Sequence, residues 1–542
     1  MEKQLSEFLT KEVLEKSGLT ALNTMTNPLV TGLEYDSRKI KPGNLFFALP
    51  GLHTDGSLYI EDAINRGASV VVHENEITEK KPDVTYIKVK SSRFAMSPIS
   101  ASFYDFPSKK LLITGVTGTE GKSTTVYLIY QLLTLMGKKA GFISTVQHCL
   151  GGEVTCNSEH QTTPEAPVVQ RLLSEMADNG CEYAVLEASS HGLSPKTNRL
   201  GDVEFCSGVL TNLTHEHLEF HGTWEQYRDD KANLFRALNH YTPGEGSSFF
   251  GPFGVVNADD KSSRFFMKEN KHKTFRYSPA GRDGDVILEA IESCAWGNWY
   301  LVYIPALKER IQLRDKLPGA FNSGNVLAAL LTVSGLLKLP LREIAPFVKR
   351  LKPVKGRMTT INRGQPYEVV VDYAHTPSSF QAIFPPLRER LDKTGGRIIS
   401  LFGSAGERDT QKRAEQGKIA AHYSDIIVLT DEDPRCEKPM DILEEISKGV
   451  FTDQGLRVVK AAVHPDVKID QNRTVFNRGE NLFLIPDRPT AIRKALSMAR
   501  EGDLVILLGK GHENSIIYDS EARPYDEIDE AIKALAEMGF AV

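Results

Sequence analysis

The run Thr114-Gly-Val-Thr-Gly-Thr-Glu-Gly-Lys-Ser-Thr-Thr125 follows the apolar stretch Leu111-Leu-Ile113. A strand therefore turns into a glycine-studded loop that ends in Gly121-Lys122-Ser123 and opens a helix. Successive backbone N–H groups and a helix N-terminus aimed at one point make an anion site. A lysine at the end of such a loop reaches β- and γ-phosphate oxygens, and the Ser hydroxyl after it is an oxygen ligand for Mg2+. The spacing departs from the usual phosphate loop, because the residue five before Gly121 is Val116, with Gly115 and Gly118 on either side of it. A plain glycine-rich turn is the alternative use of such a run, and the strand–loop–helix setting speaks against it. The loop alone does not say what its phosphate is used for.

Other apolar runs also end in residues able to do chemistry: Glu187-Ala-Ser-Ser-His191, Thr211-Asn212, Asp372-Tyr-Ala-His375, Gly403-Ser-Ala-Gly406, Asp431-Glu-Asp433 and Gly509-Lys-Gly-His-Glu513. Ligands of open α/β sheets bind outside the carboxyl ends of the strands. Any single polar strand end is equally explained by a loop facing water. The whole series is better explained by two sheets presenting their chemical ends to one cleft.

The elements that must hold these residues fall into three blocks. The first, to about Pro107, mixes short strands (Val30 to Tyr35, Asn44 to Ala48, Ser69 to His73) with Gly- and Asp-rich loops. The second alternates strands and helices from Lys109: Leu111–Gly115, a helix from Ser123, then Ala140–Ser144, Tyr183–Leu186, Ser207–Leu213 and Phe253–Asn257. Val126, Ile129, Tyr130, Leu133 and Met136 recur at helical spacing, and Gly137 is placed as the cap. Thr242 to Phe253 reads as a surface loop. The third block, from about Pro353, has strands Tyr367–Asp372, Arg397–Phe402, Asp425–Leu429, Leu482–Ile485 and Leu504–Leu508. Alternating strands and helices imply mostly parallel sheets and an α/β fold.

A chain of 542 residues fits about three domains at roughly 100–200 residues each. The net charge of −5 offers no basic block for nucleic acid and no acidic tail. The N-terminus lacks the apolar core of a secretory signal, and no apolar run is long enough for a membrane span. Six scattered cysteines without a Cys-x-x-Cys pair read as reduced thiols of a cytoplasmic protein.

Taken in order, the motifs resemble the Mur ligase family, the ATP-dependent amide ligases that build the peptidoglycan stem peptide. Thr117-Gly-Thr-Glu-Gly-Lys-Ser123 is similar to that family's Thr-Gly-Thr-Asn-Gly-Lys-Thr loop, with Glu120 where Asn is common. Glu187-Ala-Ser-Ser-His191 resembles its Glu-x-Ser-Ser-His. Thr211-Asn-Leu-Thr-His-Glu-His-Leu-Glu-Phe-His-Gly222 resembles its Thr-Asn-Leu-x-x-Asp-His-Leu-Asp-x-His-Gly, with Glu216 for Asp. Lys231 falls fourteen residues after His217, where the family carries a carbamylated lysine. Leu317 to Asn325, Gly356-Arg357, Asp372 to His375 and Gly406 to Arg413 come next in the family's order. Tyr35-Asp-Ser-Arg38, Lys41 to Ala48, Gln161-Thr-Thr-Pro-Glu165, Asp433-Pro-Arg435 and Gly509 to Glu513 resemble the branch that adds a diamino acid as the third peptide residue.

The resemblance implies three α/β domains: a UDP-binding domain (1–107), a central ATP-binding domain with a P-loop ATPase-like, mostly parallel sheet (108–352), and a C-terminal Rossmann-like domain (353–542) that closes over ATP about a hinge near Leu351–Lys355. It implies ATP and Mg2+ as cofactors, and UDP-N-acetylmuramoyl dipeptide and a diamino acid as partners of a cytoplasmic monomer. The implied catalytic residues are Lys122, Glu187, His217 and Lys231. ATP would be held by Gly118, Thr119, Glu120, Gly121, Lys122, Ser123, Thr124, Asn325, Arg357, Asp372 and His375. Metal would meet Ser123, Glu187, His217 and Lys231 as its carbamate. Ser37 and Arg38 would take the UDP end of the sugar substrate, and Thr162, Thr163, Ser189 and Arg199 its sugar–peptide end. Arg199 lies eight residues after His191 where about six are usual, so Asn198 or Arg199 could serve. Arg413, Asp433, Pro434, Arg435, Gly509 and Glu513 would bind the amine.

Two points stay open at this level. Lys231 by itself reads as a surface charge on a helix. Asp433 replaces an amide found in diaminopimelate-using relatives and favours a bare terminal ammonium, whereas Arg435 favours a distal carboxylate. Other superfamily ligases, a phosphate-loop switch and an inactive scaffold are the alternatives. No base-reading Asn-Lys-x-Asp supports a GTPase.

Overall fold

The structure, a computed structural model, describes residues 1–23, 27–50, 55–157, 161–214, 218–242, 251–294, 297–450, 476–477, 481–519 and 521–540. The chain forms two compact units: Met1–Ala290 with Tyr300–Arg314 and Ser323–Leu351, and Ile291–Trp299 with Asp315–Asn322 and Lys352–Val542.

The first unit opens with a five-stranded sheet of β1 (Leu19–Asn23), β2 (Gly32–Glu34), β3 (Asn44–Phe47), β4 (Val70–His73) and β5 (Thr85–Val89), in the order β1-β5-β4-β3-β2. β2 to β5 are parallel and β1 is antiparallel to β5. Every residue of β3 and β4 is buried, as expected where both faces of a parallel sheet are covered. The strand expected over Val30 to Tyr35 is divided: Leu29–Val30 pairs with Lys3–Gln4, and only Gly32–Glu34 joins the sheet.

The second sheet of this unit has a parallel core of β6 (Leu112–Thr117), β7 (Ala140–Ile143), β8 (Tyr183–Glu187), β9 (Ser207–Leu210), β10 (Phe253–Asn257) and β11 (Lys273–Ser278), in the order β7-β8-β6-β9-β10-β11. β6 is the first strand in sequence, yet the later β8 and β9 flank it. The loop after β6 therefore opens where the chain order reverses, the position at which such sheets bind ligands. That loop leads into α1 (Lys122–Leu135), which turns Val126, Ile129 and Leu133 into the core. Gly137, at φ +76°, closes the helix by donating to Thr134 O while Lys138 donates to Leu133 O. α2 (Trp224–Leu238) packs Leu234 against β6, where Gly115 leaves no room for a Cβ between Leu234 and Phe205. Gly115 is thus a packing glycine of the strand and not part of the loop. Beyond β11 the sheet continues into Val286–Cys294, Gly297–Ile304 and Glu309–Arg314, which the sequence pattern did not disclose. Of the loop expected over Thr242 to Phe253, residues 243–250 lie outside the described residues.

The second unit is built on β12 (Glu368–Asp372), β13 (Ile398–Phe402), β14 (Ile426–Leu429), β15 (Leu482–Leu484) and β16 (Leu504–Leu508), all parallel in the order β12-β16-β13-β14-β15. Alternate residues of each strand enter two separate apolar clusters, one on each face. α3 (Arg488–Ser497) precedes β16, and a hairpin of Ser515–Tyr518 with Glu521–Pro524 leads into α4 (Glu527–Glu537).

Among the described residues, no single helix is long and apolar enough to cross a membrane. Cys149, Cys156, Cys181, Cys206 and Cys436 are free thiols.

Candidate active site

Gly118 and Gly121 adopt φ of +147° and +81°. A Cβ at Gly118 would run into Thr211 Oγ1, and one at Gly121 into Asn325 Oδ1. Both glycines are therefore required by the close approach of β9's exit and of the helix Asn322–Leu337. The loop is fixed by its backbone. Thr119 N donates to Asn212 O (2.8 Å), Glu120 N to Asn212 Oδ1 (2.9 Å), and Thr211 Oγ1 donates to Glu120 O (2.6 Å). Position 120 is held through its main-chain N–H and carbonyl, which explains why Glu is accommodated there in place of Asn. Thr125 Oγ1 donates to Asn325 Oδ1 (3.1 Å), so Asn325 meets the loop from the far side. Lys122 Nζ folds back onto Thr119 O (2.7 Å).

Glu187, at the end of β8 and 4% exposed, accepts at Oε2 from Ser123 Oγ (2.8 Å) and from Thr145 N (2.9 Å). Its backbone carbonyl accepts from Thr163 Oγ1 (2.8 Å). Thr163 Oγ1 in turn accepts from Ser189 N (3.0 Å), and its carbonyl accepts from Arg199 Nη1 (2.8 Å). Arg199 Nη2 and Arg93 Nη1 both reach Glu165 Oε1, at 2.9 and 3.1 Å. The fold thereby joins Ser123, Glu187, Thr163, Ser189 and Arg199 into one chain of contacts. Between the two candidates at the lengthened turn, Arg199 faces Thr163, while Asn198, at φ +51°, turns its amide to Phe94 O (3.0 Å). Thr162 stands beside Thr163 and is half-buried.

Lys231 is 2% exposed, so it is not a surface charge. Its Nζ lies 2.7 Å from Gly118 O and 4.6 Å above the Tyr227 ring. Tyr227 OH meets Thr119 Oγ1 at 3.0 Å, so the lysine and the phosphate loop share a support. Next to Lys231, Asp230 accepts from His221 Nδ1 (2.7 Å) and Gln226 Nε2 (2.9 Å). Burial would raise the Asp230 carboxyl, but these bonds hold it below its usual range. Sequence reasoning missed Tyr227 and Asp230 and gave His221 no role beyond its place in the Thr211–Gly222 motif, although the spacing of Tyr227 and Lys231 (i, i+4 on one helix) was readable. His217 lies outside the described residues.

Of the residues expected to take UDP, Ser37 is buried in the turn after β2, and Arg38 pairs with Asp36 (2.8 Å) on the surface.

In the second unit the exits of β12, β14 and β16 come together. Lys510 is fully buried, and its Nζ lies 2.9 Å from Asp433 Oδ1 and 2.5 Å from Glu513 Oε2. Burial would lower the ammonium's pKa, but the two carboxylates raise it above its ordinary value. Asp433 also accepts from Ile517 N (2.9 Å), and Glu513 from Tyr373 OH (3.3 Å). The charge that Asp433 brings in place of an amide is therefore matched from within. Arg435, at φ +54°, is held through its backbone by Ile517 and Asp519, and Gly509 approaches Glu432. Pro434 is buried between Asp433 and Arg435, and its carbonyl leaves room only for a glycine at 406. Asp372 accepts from Met358 N and Ala374 N (2.7 Å each), and burial raises its carboxyl. These bonds fix the Gly356–Met358 turn, where Arg357 stacks on Tyr373 at 4.6 Å. His375 Nδ1 bonds the carbonyl of Tyr373 (2.9 Å). Arg413 stands apart from the amine-site candidates: its guanidinium is committed to Glu437 and Glu445 (2.8 Å each) and to Ala405 O (3.1 Å). Lys510 lies inside the Gly509 to Glu513 motif, yet the motif alone did not single it out.

Ser123 and Glu187 offer adjacent oxygen donors, which is the ligand chemistry Mg2+ prefers. Among the described residues no group of three or more His, Cys, Asp or Glu side chains is placed to hold a metal ion.

Known proteins resemble this chain over most of its length. The family profile described as "Mur ligase middle domain" matches residues 116–333, "Mur ligase, glutamate ligase domain" matches 356–511, and "Mur ligase family, catalytic domain" matches 29–104. A "UDP-N-acetylmuramyl-tripeptide synthetase" of Treponema denticola is 48% identical, covering 94% of each chain. A "UDP-N-acetylmuramoyl-L-alanyl-D-glutamate--2,6-diaminopimelate ligase" of Caldanaerobacter subterraneus is 36% identical, covering 94% of this chain and 95% of that one. A solved structure bearing the same ligase description is 25% identical with a TM-score of 0.60, covering 99% of this chain and 100% of that chain.

Proposed function

The chain belongs to the Mur ligase family and is an ATP-dependent ligase, and from that premise we propose that it joins a diamino acid to UDP-N-acetylmuramoyl-L-alanyl-D-glutamate through an acyl phosphate. The observation that carries this reading is the chain of contacts through Glu187. Its side chain faces Ser123 of the phosphate loop, and its carbonyl holds Thr163, which Ser189 and Arg199 contact. Residues suited to a γ-phosphate and residues suited to a substrate carboxylate are thus tied to one glutamate.

Bringing a carboxylate to a γ-phosphate sets two anions together, so the step needs concentrated positive charge. Lys122 leaves Thr119 O to meet the phosphates. Ser123 and Glu187, with His217 and a carbamate on Lys231, would hold Mg2+, which supplies further positive charge when bound. A lysine amine is a poor ligand for Mg2+, whereas its carbamate is in effect a carboxylate. The attacking amine is held in the second unit by Arg435, Asp433, Gly509 and Glu513. Because Lys510 already matches Asp433, the choice between a distal ammonium and a distal carboxylate falls to Arg435, whose planar fork fits a carboxylate bidentately. The same reading makes the protein a cytoplasmic monomer acting on soluble peptidoglycan precursors.

The test is phosphate release from ATP with UDP-N-acetylmuramoyl-L-alanyl-D-glutamate and, separately, meso-diaminopimelate, L-lysine and L-ornithine. Release with one amine establishes the ligase and names the residue added. Folded, ATP-binding protein that releases phosphate with none of them overturns the reading.

A further inference from the structure

Arg488, the first residue of α3, is completely buried together with Glu527, the first residue of α4. Its Nε and Nη2 donate to the two Glu527 oxygens at 2.8 and 2.6 Å. Nη1 donates to Asp431 O (2.8 Å), and Nη2 also donates to Leu508 O (2.7 Å). Leu508 ends β16 and Asp431 lies two residues past the end of β14, and these strands are not neighbours, since β13 lies between them. One guanidinium therefore spans two separate strand exits. Each exit leads into a segment assigned to the amine under the proposed function: Glu432 to Arg435 after β14, Gly509 to Glu513 after β16. Lys510 and Asp433 bridge the same two segments a residue or two further out.

A buried ion pair is by itself weak grounds for a stabilising role, because well-packed apolar groups of the same volume do as well or better. Apolar groups could not, however, donate to two carbonyls at once. The planar fork of arginine does so in a fixed geometry that a lysine ammonium cannot copy. We infer that Arg488, oriented by Glu527, is a positioning residue that sets the spacing of the two amine-binding segments. It touches no substrate and acts through Asp431 and Leu508. The inference rests on the proposed assignment of those segments to the amine.

The test compares Arg488→Lys with Glu527→Gln. Arg488→Lys keeps the charge opposite Glu527 but loses the double bridge. Glu527→Gln weakens the ion pair while leaving the guanidinium on both carbonyls. Both should lower the unfolding midpoint. Arg488→Lys should raise the KM for the amine about tenfold or more, as a displaced binding group does, with the KM values for ATP and the UDP-dipeptide changed less than about twofold. Glu527→Gln should change the amine KM less than about threefold at a comparable loss of midpoint. Amide hydrogen exchange across 432–435 and 509–513 should quicken in Arg488→Lys and not in Glu527→Gln. A rise in all three KM values together, or an amine KM that follows the midpoint in both variants, overturns the inference. Absence of amine-dependent phosphate release from the unmodified enzyme would defeat the ligase reading instead. In that case unchanged exchange in Arg488→Lys still defeats this one, and selective quickening still supports it.

Discussion

The amino group of Lys231 and the carbonyl of Gly118 lie 2.7 Å apart, with the lysine 2% exposed and its Nζ over the face of Tyr227. A lysine rarely goes this deep without a task, since burying its charge is costly. Under the proposed function, this lysine beside the phosphate loop is the one that would carry the carbamate.

If Lys231 works as a carbamate, Lys231→Ala should lower the rate at least about a hundredfold, the scale of losing one charge-stabilising group. Short carboxylates such as acetate should restore part of it. Lys231→Arg keeps the charge but cannot form the carbamate and should be as poor as alanine. Near-normal turnover by Lys231→Arg would remove the carbamate from the mechanism.

Asp431 gives a stability prediction. Its carboxyl accepts from Tyr518 OH at 2.9 Å, and burial pushes its pKa up to about 7. Between about pH 4 and 7 the folded protein keeps a proton that the unfolded chain has released, so stability falls as pH rises through that window. Asp431→Asn can still accept from Tyr518 and has no proton to lose. It should match the unmodified protein near pH 4 and exceed it above pH 7 by on the order of 2–4 kcal/mol. Denaturant midpoints at pH 5 and pH 8 measure this, and a pH-independent difference between the two proteins would refute it.

How much of this was legible in the sequence differs by element. The parallel strands could be read because strands buried on both faces are continuous apolar runs, as in Val369-Val-Val371 and Leu504 to Leu508. The strands Val286–Cys294 and Glu309–Arg314 could not, because Glu289 and Glu292, and likewise Glu309 and Arg310, fall on opposite faces of their strands and leave no continuous apolar run. The contiguous motifs pointed to Ser123, Glu187, Thr163, Ser189 and Arg199, which the fold joins by contacts, but not to Lys510 inside its own motif. Tyr227, Asp230 and Arg488 lie outside those motifs; Tyr227 and Arg488 act through contacts with segments distant in sequence, and no local pattern marks a helix residue that will meet a strand end.

Two glycines separate loop function from backbone strain. Gly137, at φ +76°, has open space around a would-be Cβ, whereas Gly118, at φ +147°, faces Thr211 and Asn212. Gly137→Ala should cost about 1–2 kcal/mol of stability through its left-handed backbone and leave ATP binding intact. Gly118→Ala must displace Thr211, the residue that holds Glu120 O, and should lose ATP binding out of proportion to its stability loss. Calorimetric titration with ATP beside thermal melts distinguishes them. Equal loss of ATP affinity in both variants would mean that the phosphate is not held by this loop.

The last prediction concerns the lengthened turn after His191. Arg199 is only 13% exposed at its side chain and is bound to Thr163 O and Glu165, whereas Asn198 occupies a left-handed position and bonds to Phe94 O. Under the proposed function this guanidinium, held by Thr163 O and Glu165, meets an anionic substrate group, while Asn198 serves the turn. Arg199→Gln should therefore raise the KM for the UDP-dipeptide about tenfold or more, the usual scale for a lost charge-assisted contact, with the KM for ATP little changed. Asn198→Gly suits the backbone angle and should leave both KM values alone. If Asn198→Gly raised the UDP-dipeptide KM while Arg199→Gln did not, the extra residues would have carried the substrate contact one position back along the chain, and the bond from Arg199 to Thr163 would be a structural tie only.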